Sequence, residues 1–376
     1  MGLGLYIHVP FCLSRCAFCA FYLEIHRDDR VAAYLDGLSR EIRLHAKGTT
    51  LGTRRLETVY FGGGTPTTLL PGQLSQILDE VRASLGVTES SEITIEAHPD
   101  TVDREGLRHL AAAGFNRISF GVQSMDDGEL LQIGRRTSSN RTRLAVDLAR
   151  DAGFRSVSLD LIYGIPEQTL ASWQSTLDNA LALAPTHLSC YALTIEEGTG
   201  LSTAIKRGDA CEPDTRLQND MEDEADARLS AAGFERYEIS NYCRPGFACR
   251  HNLLYWEAGD YLGLGPSAQS YVAGRRFGNV ADLGLYQRSL LSGRLPLDAE
   301  ENLTPRQQRR EALVFGLRLS SGVRRDVFCG DETQRESDED ALSDLMHAGL
   351  LEMGAERIRL TPAGRRLADS VAVRLL

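Results

Sequence analysis

Residues 12–19, CLSRCAFC, place Cys12, Cys16 and Cys19 at C-x3-C-x2-C directly after the apolar run LGLYIHVPF. Thiolates two to four residues apart are ligands for zinc or for an iron-sulfur cluster. A structural zinc ion takes four protein ligands, and the nearest candidates for a fourth are His8 and His26. If the three thiolates instead hold three irons of a 4Fe-4S cluster, the fourth iron keeps an open position for a substrate-like ligand. The spacing, with no fourth thiolate to match, favours the cluster.

Further polar and glycine positions fall at the ends of apolar runs. Gly62, Gly63 and Gly64 follow VYF in VYFGGGTPTTL, where a triplet serves as a tight strand-to-helix turn or lets backbone approach a ligand closely. Glu96 ends ITIEAHP, Gln123 ends SFGVQS, Arg135 follows in QIGRRT, and Asp160 sits in SLDLIYGIP. Each alone reads as a cap or a surface group. Recurring at strand ends, they point at one site, because the C-terminal strand ends of a parallel barrel form its active face. Carboxylate and amide oxygens there accept from ribose hydroxyls, and a guanidinium pairs with a carboxylate. Later, His251, Asn252, Tyr255 and Trp256 form H-N-x-x-Y-W within the stretch from Glu238 to Ser270. A neutral imidazole ligates haem iron and flat rings supply apolar surface for a porphyrin, while a buried core histidine with two core aromatics is the plain reading of the same residues.

The elements that carry these residues alternate. Strand-like runs LGLYIHV, LETVYFG, SEITIEA, NRISFGV, SVSLDLIYG and HLSCYAL are separated by amphipathic stretches such as VAAYLDGLSREIRLHA and PGQLSQILDEVRASLG. Gly114, Gly153 and Gly233 close helices in the repeated joints AAGFNRISF, DAGFRSVSL and AAGFERYEI, each expected in the left-handed conformation. Repeated βα units predict parallel strands with helices outside, as a TIM-type barrel or an open doubly wound sheet. Beyond residue 280 helices take over, and LLEMGAERIRLTPAGRRLAD predicts a hairpin leading into a last helix, a winged-helix-like tail.

The chain has 376 residues and a net charge of −11, which argues against nucleic-acid binding because that needs clustered cations. The arginine-rich run PRQQRREALVFGLRLSSGVRR and the acidic DETQRESDED read as solvated helix faces. Cys190, Cys211, Cys243, Cys249 and Cys329 are scattered, unlike a disulfide framework. No signal-like segment and no apolar run of about eighteen residues is present. The expectation is a cytoplasmic protein.

The C-x3-C-x2-C loop after the first strand resembles the signature of the radical S-adenosylmethionine (SAM) superfamily, and GGGTP resembles its GGxTP element. The resemblance implies that the open iron chelates the methionine of SAM. Within the coproporphyrinogen-oxidase-like branch it implies that Gln123 and Asp160 hold ribose, Arg135 the carboxylate and Glu96 the methionine end, with Tyr6, Phe18, Gly63, Gly64 and Thr65 completing the SAM site. The implied fold is a partial (β/α)6 TIM-type barrel over residues 1–280 with a smaller, mainly helical winged-helix-like unit over 281–376.

H-N-x-x-Y-W, with YALTIEEGT, YEISNY and RLTPAGRRL, is similar to the HemW family of haem chaperones. That implies His251 as the axial haem ligand, Tyr255 and Trp256 as haem-contacting rings and Cys249 as a competing ligand. It also implies delivery to recipient haemoproteins such as a membrane-bound respiratory one, and leaves a homodimer open. The related coproporphyrinogen III oxidase has a further cysteine where this chain has Phe21, and an N-terminal extension where only eleven residues precede Cys12. Both differences favour a chaperone. The alternative is a catalytic radical SAM enzyme, coproporphyrinogen-oxidase-like or a methyltransferase, acting through a 5'-deoxyadenosyl radical. Two departures stand out: His98 where the family usually has asparagine, and Pro266 with Gln269 in GLGPSAQS where it usually reads GLGAGAHS.

Overall fold

The computed structural model describes residues 2–48, 54–325 and 335–376, so Cys329 and the start of DETQRESDED lie outside the described residues. The first strand, β1 (Leu3–Val9), leads into a tiny parallel pair, β2 (Phe11–Cys12) and β3 (Glu24–Ile25), that flanks the cysteine loop. Strands β4 (Leu56–Gly63), β5 (Val87–Ala97), β6 (Arg117–Gln123), β7 (Ser156–Tyr163) and β8 (His187–Ala192) then follow, each pairing parallel with the one before it. Helices α1 (Asp28–Lys47), α2 (Pro71–Leu85), α3 (Arg104–Ala112), α4 (Asp127–Gln132), α5 (Ser139–Asp151) and α6 (Leu170–Ala182) alternate with them. The strands are buried along nearly their whole length because helices cover one face and the barrel interior takes the other. Helix α1 shows the matching stripe: Val31, Tyr34, Leu38 and Ile42 are buried at helical spacing. Gly114, Gly153 and Gly233 have φ of 101°, 93° and 80°, the left-handed joints the repeated sequence predicts.

Past the sixth unit the sheet grows at both ends. After α7 (Gly200–Arg207), α8 (Thr215–Ala231) and β9 (Glu235–Arg236), β10 (Asn241–Cys243) adds antiparallel to β8, and β9 pairs antiparallel with β10 at the edge. Helix α9 (Arg250–Trp256) then crosses to β11 (Asp260–Leu264), which pairs parallel to β1 from the other side. An antiparallel run of β12 (Gln269–Val272), β13 (Arg275–Asn279) and β14 (Leu297–Asn302) completes a twelve-stranded open sheet. The sheet therefore continues beyond residue 280, interrupted by α10 (Leu283–Leu291), whose Tyr286 belongs to the main core. A second core gathers Leu313, Leu317, Leu342, Ile358 and Val371 from α11 (Pro305–Gly316), α12 (Arg335–His347), α13 (Pro362–Arg366), α14 (Ala368–Leu375) and their surroundings. Strands β15 (Val323–Arg324), β16 (Leu351–Met353) and β17 (Arg357–Leu360) form its three-stranded antiparallel wing, with the hairpin where LLEMGAERIRL predicts it. Among the described residues no helix is long and apolar enough to cross a membrane.

Glu41 ties the late elements to the early ones. Fully buried on α1, it accepts from Gly265 N (2.8 Å), Asn279 Nδ2 (2.6 Å) and the Tyr286 hydroxyl (2.6 Å). Burial outweighs these three donors and pushes its carboxyl up to about 7. Between its ordinary value and about 7 the folded state holds the proton that the unfolded state has lost, so this contribution is full at low pH and disappears as pH rises through about 7. Relative to Glu41→Gln, the wild type should lose stability across that window with a slope of up to about 1.4 kcal/mol per pH unit. Denaturant titrations of both proteins at several pH values check it; parallel stability curves would contradict it.

Candidate functional site

The cysteine loop is pinned at both ends. Glu24 N donates to Pro10 O (2.7 Å) and His26 N to Cys12 O (2.9 Å), while Ala17 bridges to two other loops through Ala17 N to Ile133 O (3.0 Å) and Leu201 N to Ala17 O (2.7 Å). Phe18 anchors it in an apolar cluster with Ile133, Ile162, Ile165, Leu193 and Leu201. Cys12, Cys16 and Cys19 are half-buried, with Cys12 Sγ 3.5 Å from Thr65 Oγ1 and Cys16 Sγ 3.6 Å from Arg135 Nη1. Burial pushes the Cys12 and Cys19 thiols up. Of the two histidines nearest the loop, His8 is committed to the Tyr22 carbonyl (3.1 Å) and the Tyr6 hydroxyl (3.2 Å), and His26 lies edge-on to Phe11. Among the described residues no three His, Cys, Asp or Glu side chains converge on a single metal ion.

The glycine triplet packs directly beneath this loop. Gly63 has φ of 108°, and a Cβ there would lie 2.5 Å from the His8 ring; at Gly64 it would lie 2.8 Å from Phe11 O. Only glycine allows this approach and this backbone at once. Gly64 N donates to Val9 O (2.9 Å) and Thr65 N to Phe11 O (2.7 Å), so β1 and β4 end as one platform.

Around the platform stand the polar residues named from the strand ends. Glu96, closing β5, accepts from the Tyr60 hydroxyl (2.7 Å) and from Gly63 N (3.1 Å), and burial pushes its carboxyl up to about 7. Arg135, only 7% exposed, reaches Cys16 and the Gly121 carbonyl, and its buried Nε has no partner among the described residues. Gln123 ends β6 at φ of 70°, a left-handed conformation rare for a side-chain-bearing residue, which turns its amide nitrogen beside Gly121. Asp160, opposite Gly121 in the β6–β7 register, accepts from Ser119 Oγ (3.0 and 3.1 Å) and Ser189 Oγ (2.7 Å), with burial raising its carboxyl. Ser119, Ser189 and Tyr60 were missed from sequence; a hydroxyl inside an apolar run, as in RISF, HLSC and TVYF, is the signal that marks them. His98 takes the place of the usual asparagine by capping the next turn, its Nδ1 accepting from Asp100 N (3.1 Å).

H-N-x-x-Y-W lies at the opposite end of the barrel. Glu92, four residues before Glu96 on β5, accepts from Arg250 N (3.2 Å) and His251 N (3.1 Å), capping α9 against the start of the strands. The His251 ring then enters the interior, 1% exposed, with Nδ1 2.8 Å from Thr58 Oγ1 and Nε2 2.8 Å from the Tyr255 hydroxyl. Burial lowers its pKa to about 3, so the ring is neutral. It stacks on Tyr60 (5.1 Å, 27°), which stacks in turn on Tyr6 (6.1 Å, 28°). Trp256 is not beside it: its ring faces Phe315 (6.5 Å), with the Arg318 guanidinium 4.8 Å above. Cys249 is buried beside Glu92, and burial pushes its thiol up to about 12. Gln269 is exposed and bonds weakly to Ser267 O (3.4 Å), at the level of Gly263 and away from α9.

An open, mostly parallel βα sheet with a three-cysteine loop over its C-terminal strand ends is the architecture of radical SAM proteins. The profile of the radical SAM superfamily matches residues 6–180, and that of the HemN C-terminal domain matches residues 303–367. HemN, the coproporphyrinogen III oxidase of Escherichia coli, superposes with a TM-score of 0.85 at 27% identity, covering 100% of this chain and 90% of that one. The heme chaperone HemW of Mycobacterium tuberculosis is 37% identical over 99% of this chain and 94% of its own length, and that of Bacillus subtilis 33% identical over 97% of each. This chain belongs to the HemW family.

Proposed function

We propose that the protein is a haem chaperone of the cytoplasm that binds haem and hands it to recipient haemoproteins, with a 4Fe-4S cluster and SAM bound at the C-terminal end of the barrel. The similarity to proteins named as heme chaperones along almost the whole chain carries this reading. Phe21, 67% exposed at the position of the oxidase's further cysteine, supports it. The residues fit the cluster and SAM: three half-buried thiols, a glycine cradle that a Cβ would fill, and a buried guanidinium with an unpartnered Nε. In this arrangement Cys12, Cys16 and Cys19 hold the cluster, whose remaining iron is open to the methionine end of SAM. Arg135 faces the carboxylate, Glu96 the amino group, and Gln123 and Asp160 the ribose, with Tyr6, Phe18, Gly63, Gly64 and Thr65 shaping the cradle.

His251 is the proposed haem ligand with Tyr255 beside it, while Trp256, turned toward Phe315, would have to move to meet the same haem. Using His251 requires one of its two hydrogen bonds to open and α9 to move from the start of the strands. The His251→Ala, Cys249→Ser double variant should show an altered Soret band and impaired haem transfer to an apo-globin, the second substitution removing the competing thiol. Wild-type affinity and transfer in that variant would remove haem from this motif. A second reading, turnover of a porphyrin, is favoured by the overall match to HemN and by the completeness of the polar set around the platform.

A further inference from the structure

His251 and the polar platform lie at opposite ends of the barrel, yet one continuous set of contacts joins them. The imidazole is fixed on both nitrogens, by Thr58 on β4 and by Tyr255 one turn along α9. Its face lies against Tyr60, 5.1 Å between centroids and 27° between planes. Tyr6, the register partner of Tyr60 on β1, lies beside that ring at 6.1 Å and itself stacks on His251 at 6.4 Å, so the three rings form a triangle. The hydroxyl of Tyr60 then donates to Glu96 Oε1 at 2.7 Å, and the second oxygen of Glu96 takes Gly63 N at 3.1 Å. Gly4 lets α9 close up beneath, since a Cβ there would lie 2.4 Å from Leu254 and 3.3 Å from the His251 ring.

We infer that His251 is a positioning residue for the SAM site, holding the Tyr60 ring so that its hydroxyl fixes the Glu96 carboxylate against Gly63. The inference rests on the reading that Glu96 meets the amino group of SAM. The physical reason is packing. The His251 ring packs against both Tyr60 and Tyr6, and removing it opens a space that a close-packed interior fills by letting the Tyr60 ring shift. A shifted ring takes its hydroxyl away from Glu96, leaving the carboxylate one backbone donor and a free rotation about its side chain. The ligand then meets a carboxylate no longer held in one place.

The test is a double-mutant cycle on SAM affinity, using anaerobically reconstituted full-length protein with iron content and melting temperature measured for every variant. His251→Ala and Tyr60→Phe should each weaken SAM by about tenfold, and the double variant should be no weaker than Tyr60→Phe alone, because both act through one hydroxyl. The change that SAM makes in the electron paramagnetic resonance spectrum of the reduced cluster should be altered in both single variants, although neither touches a cysteine. If His251→Ala cannot hold its cluster, His251→Val replaces it in the cycle, since it too withdraws the ring from the face of Tyr60. SAM affinity within twofold of wild type in the single variants, or losses that multiply in the double, would overturn the inference. Glu96→Gln separates the two levels: unchanged SAM binding there sinks the assignment of Glu96 itself, whereas a loss there with none at His251 sinks only the positioning role.

Discussion

Replacing any one of Cys12, Cys16 or Cys19 with alanine should abolish the iron-sulfur cluster, and with it SAM binding. Wild-type protein reconstituted without oxygen should carry about four irons and four sulfides per chain, as 4Fe-4S clusters do. His8 is held between Tyr22 and Tyr6, and Phe21 stands where a further cysteine would be, so neither replaces a lost thiolate. Losing only an outer-shell partner of a metal site typically costs about 10- to 100-fold in affinity, so the loss of one of three thiolates should cost more. The loop itself should survive, because its hydrogen bonds to Pro10, Ile133 and Leu201 use backbone and its apolar anchor is Phe18. Iron and sulfide analysis with the visible absorption of the reconstituted variants checks this. Full cluster content in a single-cysteine variant, or a wild type that takes only zinc, would contradict it.

Arg135→Ala and Asp160→Ala should each weaken SAM about ten- to a hundredfold while cluster content stays at the wild-type level. A hydrogen bond to a charged group contributes roughly 1.5 to 3 kcal/mol, and each 1.4 kcal/mol is a factor of about ten. Arg135 is buried with one nitrogen unpartnered, so its charge is poorly solvated and available to a carboxylate. Asp160 is oriented by Ser119 and Ser189 from the strands on either side. Asp160→Asn keeps that shape and should show a smaller loss than Asp160→Ala. Titration of SAM into each reconstituted variant gives the affinities, and unchanged values in both alanine variants would show that the ligand lies elsewhere.

The parallel fold and the gathering of these side chains on one side of it were legible in the sequence, because the same residues close strands and face one another. Gly63, Glu96 and Gln123 lie at or next to the ends of apolar runs, and parallel pairing brings such ends to one face, whereas Asp160 lies within β7 with Leu161–Tyr163 after it. The growth of the sheet past residue 280 was not legible. Strand β14 reads LDAEEN and is exposed along nearly all its length, so an edge strand of this kind carries no apolar alternation. The environment of His251 was only half legible. Tyr255 is its i+4 neighbour on the same helix face, and Trp256 at i+5 turns to another face, which explains why the motif does not form one flat surface. Thr58 and Tyr60 lie almost 200 residues away in the chain, and no local pattern announces that contact. The left-handed backbone of Gln123 likewise follows from the strand end it occupies and not from its residue type.

The central claim is that this chain carries haem and does not turn over a porphyrin substrate. The measurement that tests it most directly follows one anaerobically reconstituted, SAM-loaded sample with haem and an apo-globin, recording the globin Soret band and 5'-deoxyadenosine release in parallel, beside a second sample given coproporphyrinogen III and a reductant. Haem should pass stoichiometrically to the globin, with less than about one 5'-deoxyadenosine per chain in either sample. No haem transfer, together with many equivalents of 5'-deoxyadenosine that depend on the added porphyrinogen, would contradict it and establish the catalytic reading.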